Sequence, residues 1–224
     1  MSNRYLILFL GLILVAIGLV QRGWALLAVW LGADFVAVGI AHVIGCHRIF
    51  GKRSDGSLPF WSWVLFLPWL ILTHVIWRGI FWLSGEVAQN AVTDDFVVGR
   101  RLPPHEVKGE FDNYVDLTSE FAEPLAIRKM KGYRSFPILD GSAPKPEELR
   151  RFLAELPKGR TFVHCAQGHG RAGLCALAWM LQTGKVNTVD EGLAKLRAVR
   201  PWIGLNAGQR RCVEQFAVIL KNVE

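Results

Sequence analysis

Charged residues are sparse among the first 85 residues, and this constrains the fold more than any other feature of the chain. Residues 1–85 contain only 6 of the 26 Lys and Arg residues and 2 of the 19 Asp and Glu residues. They also hold 7 of the 9 Trp residues. A water-soluble domain keeps charged side chains on its surface, whereas the interior of a bilayer excludes them. The sequence therefore predicts a membrane segment at 1–85 and a water-soluble domain at 86–224.

Three apolar segments divide the membrane part. The first is uncharged, the second carries only Asp34, and the third is rich in Trp and Phe. Because a spanning helix needs roughly 20 apolar residues, we expect helices at about 5–21, 24–45 and 58–83, the first two joined as a tight hairpin. The third helix either spans the bilayer, which we favour, or lies in the headgroup region. We expect Asp34 to be hydrogen-bonded or protonated between helices.

After Gly85, the pattern changes to short apolar runs separated by turns and amphipathic helices. Such alternation is typical of an α/β domain with a largely parallel sheet, and about 140 residues suffice for one domain. The formal net charge of +7 is not concentrated in a Lys/Arg block, so we expect no nucleic-acid partner. The four Cys residues include no CxxC pair, which argues against a zinc ribbon or a disulfide scaffold.

The most informative stretch is 160–174, RTFVHCAQGHGRAGL. It predicts a strand ending at His164, then Cys165, a loop with two glycines, and Arg171 at the start of an apolar helix. Backbone amides in such a loop, together with the helix dipole, favour anion binding. Arg171 adds a planar fork that suits two phosphate oxygens. A cysteine in this environment ionises readily, so the pattern predicts a thiolate beside a bound phosphate.

These residues resemble the His-Cys-x5-Arg signature of the cysteine-dependent protein tyrosine phosphatase superfamily, and the surrounding chain resembles its dual-specificity branch. Four further stretches support the resemblance, which covers about residues 92–220: 97–100, 113–120, 136–140 and 199–209. The resemblance implies a dual-specificity-phosphatase-like domain, with a mostly parallel central sheet flanked by helices. An all-α transmembrane segment of two to three helices would precede it. It also implies catalysis without a metal or another cofactor.

The resemblance assigns roles to individual residues. Cys165 is the expected nucleophile and Asp140 the expected general acid, with Asp116 as the alternative acid. We expect His164 to orient the loop and Cys175 and Cys212 to be core residues. The expected phosphate-binding loop comprises Ala166, Gln167, Gly168, His169, Gly170 and Arg171.

One residue departs from the family pattern. Much of the family has Ser or Thr directly after the Arg, where the hydroxyl assists the thiolate in leaving the phosphocysteine intermediate. Here that residue is Ala172. The departure makes slow breakdown of the intermediate an expectation, and it keeps open the alternative of a weakly active phosphate-binding module.

The leading expectation is a membrane-anchored phosphatase acting on phosphotyrosine, phosphoserine or phosphothreonine in proteins. The alternative is a phospholipid-headgroup phosphatase, for example one acting on phosphatidylglycerophosphate. The partners would thus be a phosphorylated protein or phospholipid and the lipid bilayer. His42, Cys46 and His47 lack a carboxylate that would complete a metal site, so we expect no metal there.

The expected location is a membrane, crossed more than once, with the catalytic domain on the cytoplasmic side. Basic residues beside membrane helices favour the cytoplasmic side, and two basic clusters give opposite orientations. Arg48, Lys52 and Arg53 after the second segment would, with three crossings, place the catalytic domain outside. Arg78, Arg100 and Arg101 around the entry to the domain would place it in the cytoplasm. An exposed low-pKa thiol is vulnerable in an oxidising compartment, which favours the cytoplasm. That orientation requires either a third segment that does not cross or a reversed arrangement of the first two.

Overall fold

The computed structural model describes residues 3–107 and 111–222. It begins with an antiparallel hairpin of two apolar helices, α1 (Asn3–Gln21) and α2 (Leu26–Ile44). Glycines allow the two helices to touch: a Cβ on Gly11 would lie 2.8 Å from the Gly32 carbonyl oxygen, and one on Gly32 would lie 2.7 Å from that of Gly11. Small residues at such crossings are typical of helices that pack in membranes.

The third apolar segment is not one helix. It is divided at Phe66 into α3 (Phe60–Leu65) and α4 (Leu67–Leu83). Pro68 accounts for the break, because proline has no N–H to continue a helix and is tolerated only in the first turn of a new one. The expectation of a continuous helix over 58–83 was therefore wrong in this detail.

Within the described ranges, one apolar helical segment is long and apolar enough to cross a membrane, with a mean hydropathy of 1.9: Gly23–Ile44, which is α2 together with the 3₁₀ turn that precedes it. Tyr5–Gln21 and Leu67–Leu83 are apolar but shorter. This supports membrane association, while the number of crossings stays a prediction.

Asp34 joins α2 to α4. Its Oδ2 accepts a hydrogen bond of 3.1 Å from the backbone N–H of Trp69, in the first turn of α4. An acidic side chain at a helix N-terminus satisfies an amide that has no partner within the helix. The buried Asp34 thus packs between helices as a hydrogen-bonded residue, as expected.

The rest of the chain is a five-stranded sheet flanked by helices. The strands are β1 (Gln89–Thr93), β2 (Phe96–Arg100), β3 (Asn113–Thr118), β4 (Tyr133–Ile138) and β5 (Thr161–Cys165). The helices are α5 (Leu125–Arg128), α6 (Pro146–Ala154), α7 (Gly170–Gln182), α8 (Val189–Val199) and α9 (Ala207–Lys221). The strand order is β1-β2-β5-β3-β4, and all pairs are parallel except β1 with β2. The expected α/β class with a mostly parallel sheet is confirmed.

The central position of β5 determines where chemistry can occur. In a parallel sheet the carboxyl ends of neighbouring strands meet at one edge, and ligands bind there. β5 lies between β2 and β3 and is buried throughout, so its last residue, Cys165, lies in the middle of that edge. Apolar side chains of α7 pack beneath it in the main core.

The N-terminal helices pack directly on this edge. Val38 of α2, Leu70 of α4 and Leu139, just beyond β4, share one buried apolar cluster. The loop between α2 and α3 contributes the buried Lys52, whose ammonium group pairs with Asp116 at the end of β3. The N-terminal apolar helices are therefore in contact with the carboxyl edge of the sheet.

Candidate active site

The side chain of Cys165 lies at the base of the loop between β5 and α7. Only 3% of the residue is exposed, and its Sγ accepts a hydrogen bond of 3.2 Å from the backbone N–H of Gly168. The amide hydrogen bond and the nearby N-terminus of α7 both place positive partial charge beside this sulfur. The loop thus places a candidate nucleophile beneath a set of backbone amides.

Of the two loop glycines, only Gly168 has a backbone conformation that favours glycine. Its φ is +76°, and a Cβ there would lie 2.5 Å from the carbonyl oxygen of Gly99 on β2. Gly170 begins α7 without a positive φ, and a Cβ would meet the side chain of Gln209 at 3.1 Å. Gly168 is therefore the position where the curl of the loop depends on glycine.

Arg171 is fully buried and held from several sides. Its two terminal nitrogens donate to both carboxylate oxygens of Glu120, at 2.9 and 2.8 Å, and to the carbonyl of Ile138 at 2.9 Å. Burial alone would lower the pKa of this guanidinium, but Glu120 and Asp140 outweigh burial and raise it. Its Nε is buried without a hydrogen-bond partner. A charged donor that has no protein partner is a suitable group to bind an anion.

Asp140 lies at the mouth of the site. Its Oδ1 is 3.0 Å from Arg171 Nη2, while its side chain is 80% exposed. The following residues are held by three side chains: Asn206 donates to the Gly141 carbonyl at 2.8 Å, Gln209 to that of Ser142 at 3.2 Å, and His42 of α2 hydrogen-bonds the Ser142 hydroxyl at 3.0 Å. The expected acid is thus at the site, on a loop fixed by both α9 and the apolar helix α2.

The alternative acid, Asp116, is not at the site. It is fully buried and bonded to Lys52, Thr118 and the Tyr133 hydroxyl. Burial favours its neutral form, but Lys52 and His164 outweigh burial and hold the pKa of this carboxyl well below its usual range. An ionised, enclosed carboxylate is a poor proton donor, so the structure argues against Asp116 in this role.

Glu120 is the site residue that sequence reasoning missed. Burial would raise its pKa, yet Arg171 more than offsets burial, so that the pKa lies below its ordinary value. Glu120 therefore stays ionised and positions Arg171. Its place two residues beyond β3, at the same sheet edge as Cys165, was the signal available in the sequence.

Two histidines flank the nucleophile. His164 is buried, with Nδ1 at 3.3 Å from the Cys165 carbonyl, and burial lowers its pKa, so it is neutral at pH 7. His169 is half-buried and lies 2.7 Å from Glu86.

Arg200 contacts the same loop and donates hydrogen bonds to the carbonyls of Gln167 at 2.9 Å and Gly168 at 3.0 Å. These contacts support a positioning role for Arg200, which sequence reasoning assigned only as part of a motif.

Three residues are packed in the core. Ala172 is fully buried in the first turn of α7. Burial raises the pKa of Cys175 to about 12, and burial together with Glu147 raises that of Cys212 to about 11. Both thiols are therefore un-ionised at neutral pH, as expected of core residues.

Within residues 3–107 and 111–222, the one group of His, Cys, Asp or Glu side chains close enough to share a metal ion is Asp116, Glu123 and His164. Lys52 and Arg101 already pair with its two carboxylates. A dication there would face two resident cations, so the group does not suit a metal. His42, Cys46 and His47 do not converge in this way.

A cavity of about 540 Å³ opens above Cys165. One end is lined by the phosphate-binding loop, Glu120 and Asp140, and the other by apolar side chains of α2 and α4. Trp77 of α4 fixes this arrangement by donating a hydrogen bond of 3.2 Å to the Ala166 carbonyl. The arrangement suits attack by a thiolate on a bound phosphate, with proton transfer at the mouth.

Comparison with known proteins gives the same fold. No protein-family model matches the chain. A protein named as a tyrosine phosphatase, 067L of Invertebrate iridescent virus 3, is 29% identical over 128 residues, which are 46% of this chain and 52% of the relative. The chain thus spans about half the length of this curated relative.

Three solved structures illustrate the similarity. Tk-PTP in the active form matches with a TM-score of 0.52 and 22% identity, over 58% of this chain and 97% of its own. PTPMT1 in complex with PI(5)P matches with a TM-score of 0.54 and 12% identity, over 61% of this chain and 99% of its own. A single-residue variant of human DUSP28 matches with a TM-score of 0.54 and 14% identity, over 62% of this chain and 100% of its own. The chain therefore has the fold of the cysteine-dependent tyrosine and dual-specificity phosphatases, preceded by apolar helices.

Proposed function

We propose that the chain is a cysteine-dependent phosphatase that hydrolyses phosphomonoesters through a phosphocysteine intermediate. The observation that carries this proposal is the arrangement of three residues: Cys165 lines the cavity, Arg171 directly follows the lining residue Gly170, and Asp140, at 3.0 Å from Arg171, lines the same cavity. Each supplies a different requirement of the reaction: a nucleophile, an anion-binding donor and a proton donor.

The mechanism follows from these positions. The Cys165 thiolate attacks the phosphorus, an S–P bond forms, and the P–O bond to the leaving group breaks. Asp140 gives its proton to the departing oxygen. Water then attacks the phosphocysteine and passes a proton to the Asp140 carboxylate. The S–P bond breaks, releasing inorganic phosphate and regenerating the thiolate.

Two substrate classes are compatible with this chemistry. Phosphorylated proteins are suggested by the relative named as a tyrosine phosphatase, and a phospholipid headgroup by the solved structure of PTPMT1 with PI(5)P. The apolar end of the cavity favours the second class. Ala172 supports a third candidate, a weakly active phosphate-binding module, which a turnover measurement separates from both.

We also propose that residues 1–85 anchor the chain in a membrane by more than one crossing, with the catalytic domain at 86–224 on the cytoplasmic side. The hydropathy of Gly23–Ile44 and the two shorter apolar helices support the anchor. A reporter fused to the C-terminus tests the orientation.

Phosphate release from 4-nitrophenyl phosphate by the full chain in detergent micelles tests the enzymatic proposal. The Cys165→Ser variant should lose activity by about 10³-fold or more while still binding vanadate, because the loop amides and Arg171 remain. Cys46→Ser, at a half-buried thiol away from the loop, is the control and should keep wild-type activity. Substantial turnover by Cys165→Ser would overturn the thiolate mechanism.

A further inference from the structure

The wall of the cavity opposite the phosphate-binding loop is made by the N-terminal apolar helices. Five apolar residues compose it, and we name them the apolar wall: Phe35, Trp69, Leu72, Ile76 and Ile80. Phe35 lies on α2 and the other four lie on α4. The proposed membrane-anchoring helices α2 and α4 therefore also form one side of the site.

Most of the polar side chains that line the cavity, among them Cys165, Glu120 and Asp140, come from the sheet edge. His42 of α2 lines it as well and is bonded to the Ser142 hydroxyl beside Asp140. On α4, the hydroxyl of Thr73 also lines the cavity, but it already donates to the Leu70 carbonyl at 3.0 Å. A ligand that fills the cavity thus needs a phosphate at one end and an apolar body at the other.

The apolar wall continues to the outer surface of the molecule. Ile76 lines the cavity and is 51% exposed, and Val75 beside it is 63% exposed although it does not line the cavity. Although α4 also carries His74 and Arg78, the exposed apolar side chains of Ile71 and Ile80 extend the same surface along the helix. Exposed apolar surface next to the cavity suits contact with hydrocarbon chains.

A phosphopeptide fits this wall poorly. Its backbone amides and carbonyls would lie against apolar side chains with no hydrogen-bond partners, which is costly. An alkyl or acyl chain carries no such groups and gains from leaving water. The volume of about 540 Å³ is also within the range of roughly 300–1,000 Å³ that is usual for small-ligand sites.

We infer that the substrate is a lipid phosphomonoester whose phosphate lies on the phosphate-binding loop and whose hydrocarbon portion packs on the apolar wall. This inference rests on the proposed function and specifies its substrate class. The N-terminal helices are then part of the binding site, and Trp77, through its bond to Ala166, positions α4 against the loop.

A series of n-alkyl phosphates from butyl to octyl tests the inference with the full chain in one fixed detergent. We expect kcat/KM to rise with chain length, by at most about fourfold per methylene, the value for complete burial of a methylene.

The Ile76→Trp variant tests whether the apolar wall causes this rise. It should lower the octyl-to-butyl ratio of kcat/KM about tenfold, because the larger ring takes up space equivalent to roughly two methylenes. Val75→Trp is the matched control: it makes the same change on an exposed part of the same helix and should keep the wild-type ratio. Partition of the substrates into micelles is common to all three proteins and cancels from the comparison.

A second measurement compares phosphatidic acid in phosphatidylcholine vesicles with a phosphotyrosyl peptide. We expect the higher kcat/KM for the lipid. A preference for the peptide, or a chain-length dependence that Ile76→Trp leaves unchanged, would overturn the inference while activity on 4-nitrophenyl phosphate leaves the proposed function standing. A chain that hydrolyses none of these phosphates would overturn the proposed function and this inference with it.

Discussion

At the scale of single residues, Asp140 combines an ion pair with exposure to solvent. Its Oδ1 lies 3.0 Å from Arg171 Nη2, while its side chain is 80% exposed. A phosphate bound on the loop would compete for the same guanidinium. In the proposed reaction, Asp140 is the group that donates a proton to the leaving group.

This role predicts that the effect of Asp140→Asn depends on the leaving group. Proton donation contributes typically about 10²–10⁴-fold, and it matters most when the departing oxygen is strongly basic. Hydrolysis of octyl phosphate should therefore fall far more than that of 4-nitrophenyl phosphate, measured as kcat/KM in the same detergent. Asp94→Asn, at an exposed turn before β2, is the control and should change neither rate. Equal losses on both substrates would mean that Asp140 has only a structural role.

At the scale of elements, the phosphate-binding loop depends on braces from distant parts of the chain. Arg200, just after α8, joins five acceptors: the carbonyls of Gln167 and Gly168 in the loop, the Val87 carbonyl, Asn90 Oδ1 on β1 and the Glu86 carboxylate. A planar guanidinium reaches these directions at once, and an ammonium group cannot. The curvature of the loop is thus held partly by a residue that does not line the cavity.

Arg200→Lys should consequently loosen the loop without removing a positive charge. We expect vanadate affinity and kcat/KM for 4-nitrophenyl phosphate to fall by about tenfold to a hundredfold, since hydrogen bonds to charged groups contribute roughly 1.5–3 kcal/mol. The control is Arg210→Lys, which alters an exposed arginine with surface ion pairs to Asp190 and Glu214 and should leave both values unchanged. A variant that loses thermal stability but keeps its vanadate affinity would argue against a positioning role for Arg200.

At the scale of the whole molecule, the parts that the sequence predicted are those encoded by neighbouring residues. The strand, Cys165, loop and helix follow one another within about fifteen residues, so the β5–α7 junction could be predicted locally. The edge strand β1, with its polar sequence QNAVT, gave no periodic signal and was missed. The pairs Glu120–Arg171 and Lys52–Asp116 and the apolar wall were also missed, because they join segments far apart in the chain. Nothing in local periodicity specifies such partners.

The Lys52–Asp116 pair couples the N-terminal region to the sheet. The ammonium of Lys52 also donates to the Thr118 carbonyl at 2.7 Å and to its hydroxyl at 2.9 Å. Both charged side chains are fully enclosed. Removing one partner of such a pair leaves an uncompensated buried charge, which is strongly destabilising.

Lys52→Met should therefore lower the free energy of unfolding by about 3–5 kcal/mol at neutral pH, and the loss should shrink on acidification. In the wild type, Lys52 and His164 hold the pKa of Asp116 well below its unfolded value of about 3.9, so this carboxylate contributes stability above that pH, which is lost as the pH falls. In the variant, burial of Asp116 is no longer offset by Lys52, so we expect protonation of this carboxylate to recover part of the lost stability as the pH falls.

Thermal unfolding followed by Trp fluorescence in detergent tests this prediction at about pH 7 and about pH 4. The difference in stability between the wild type and Lys52→Met should be smaller at the lower pH. Arg53→Met, at the exposed neighbouring residue, is the control and should match the wild type at both pH values. A gap that stays constant between the two pH values would mean that Lys52 stabilises the chain by packing alone, and that the charge of Asp116 is balanced by other groups.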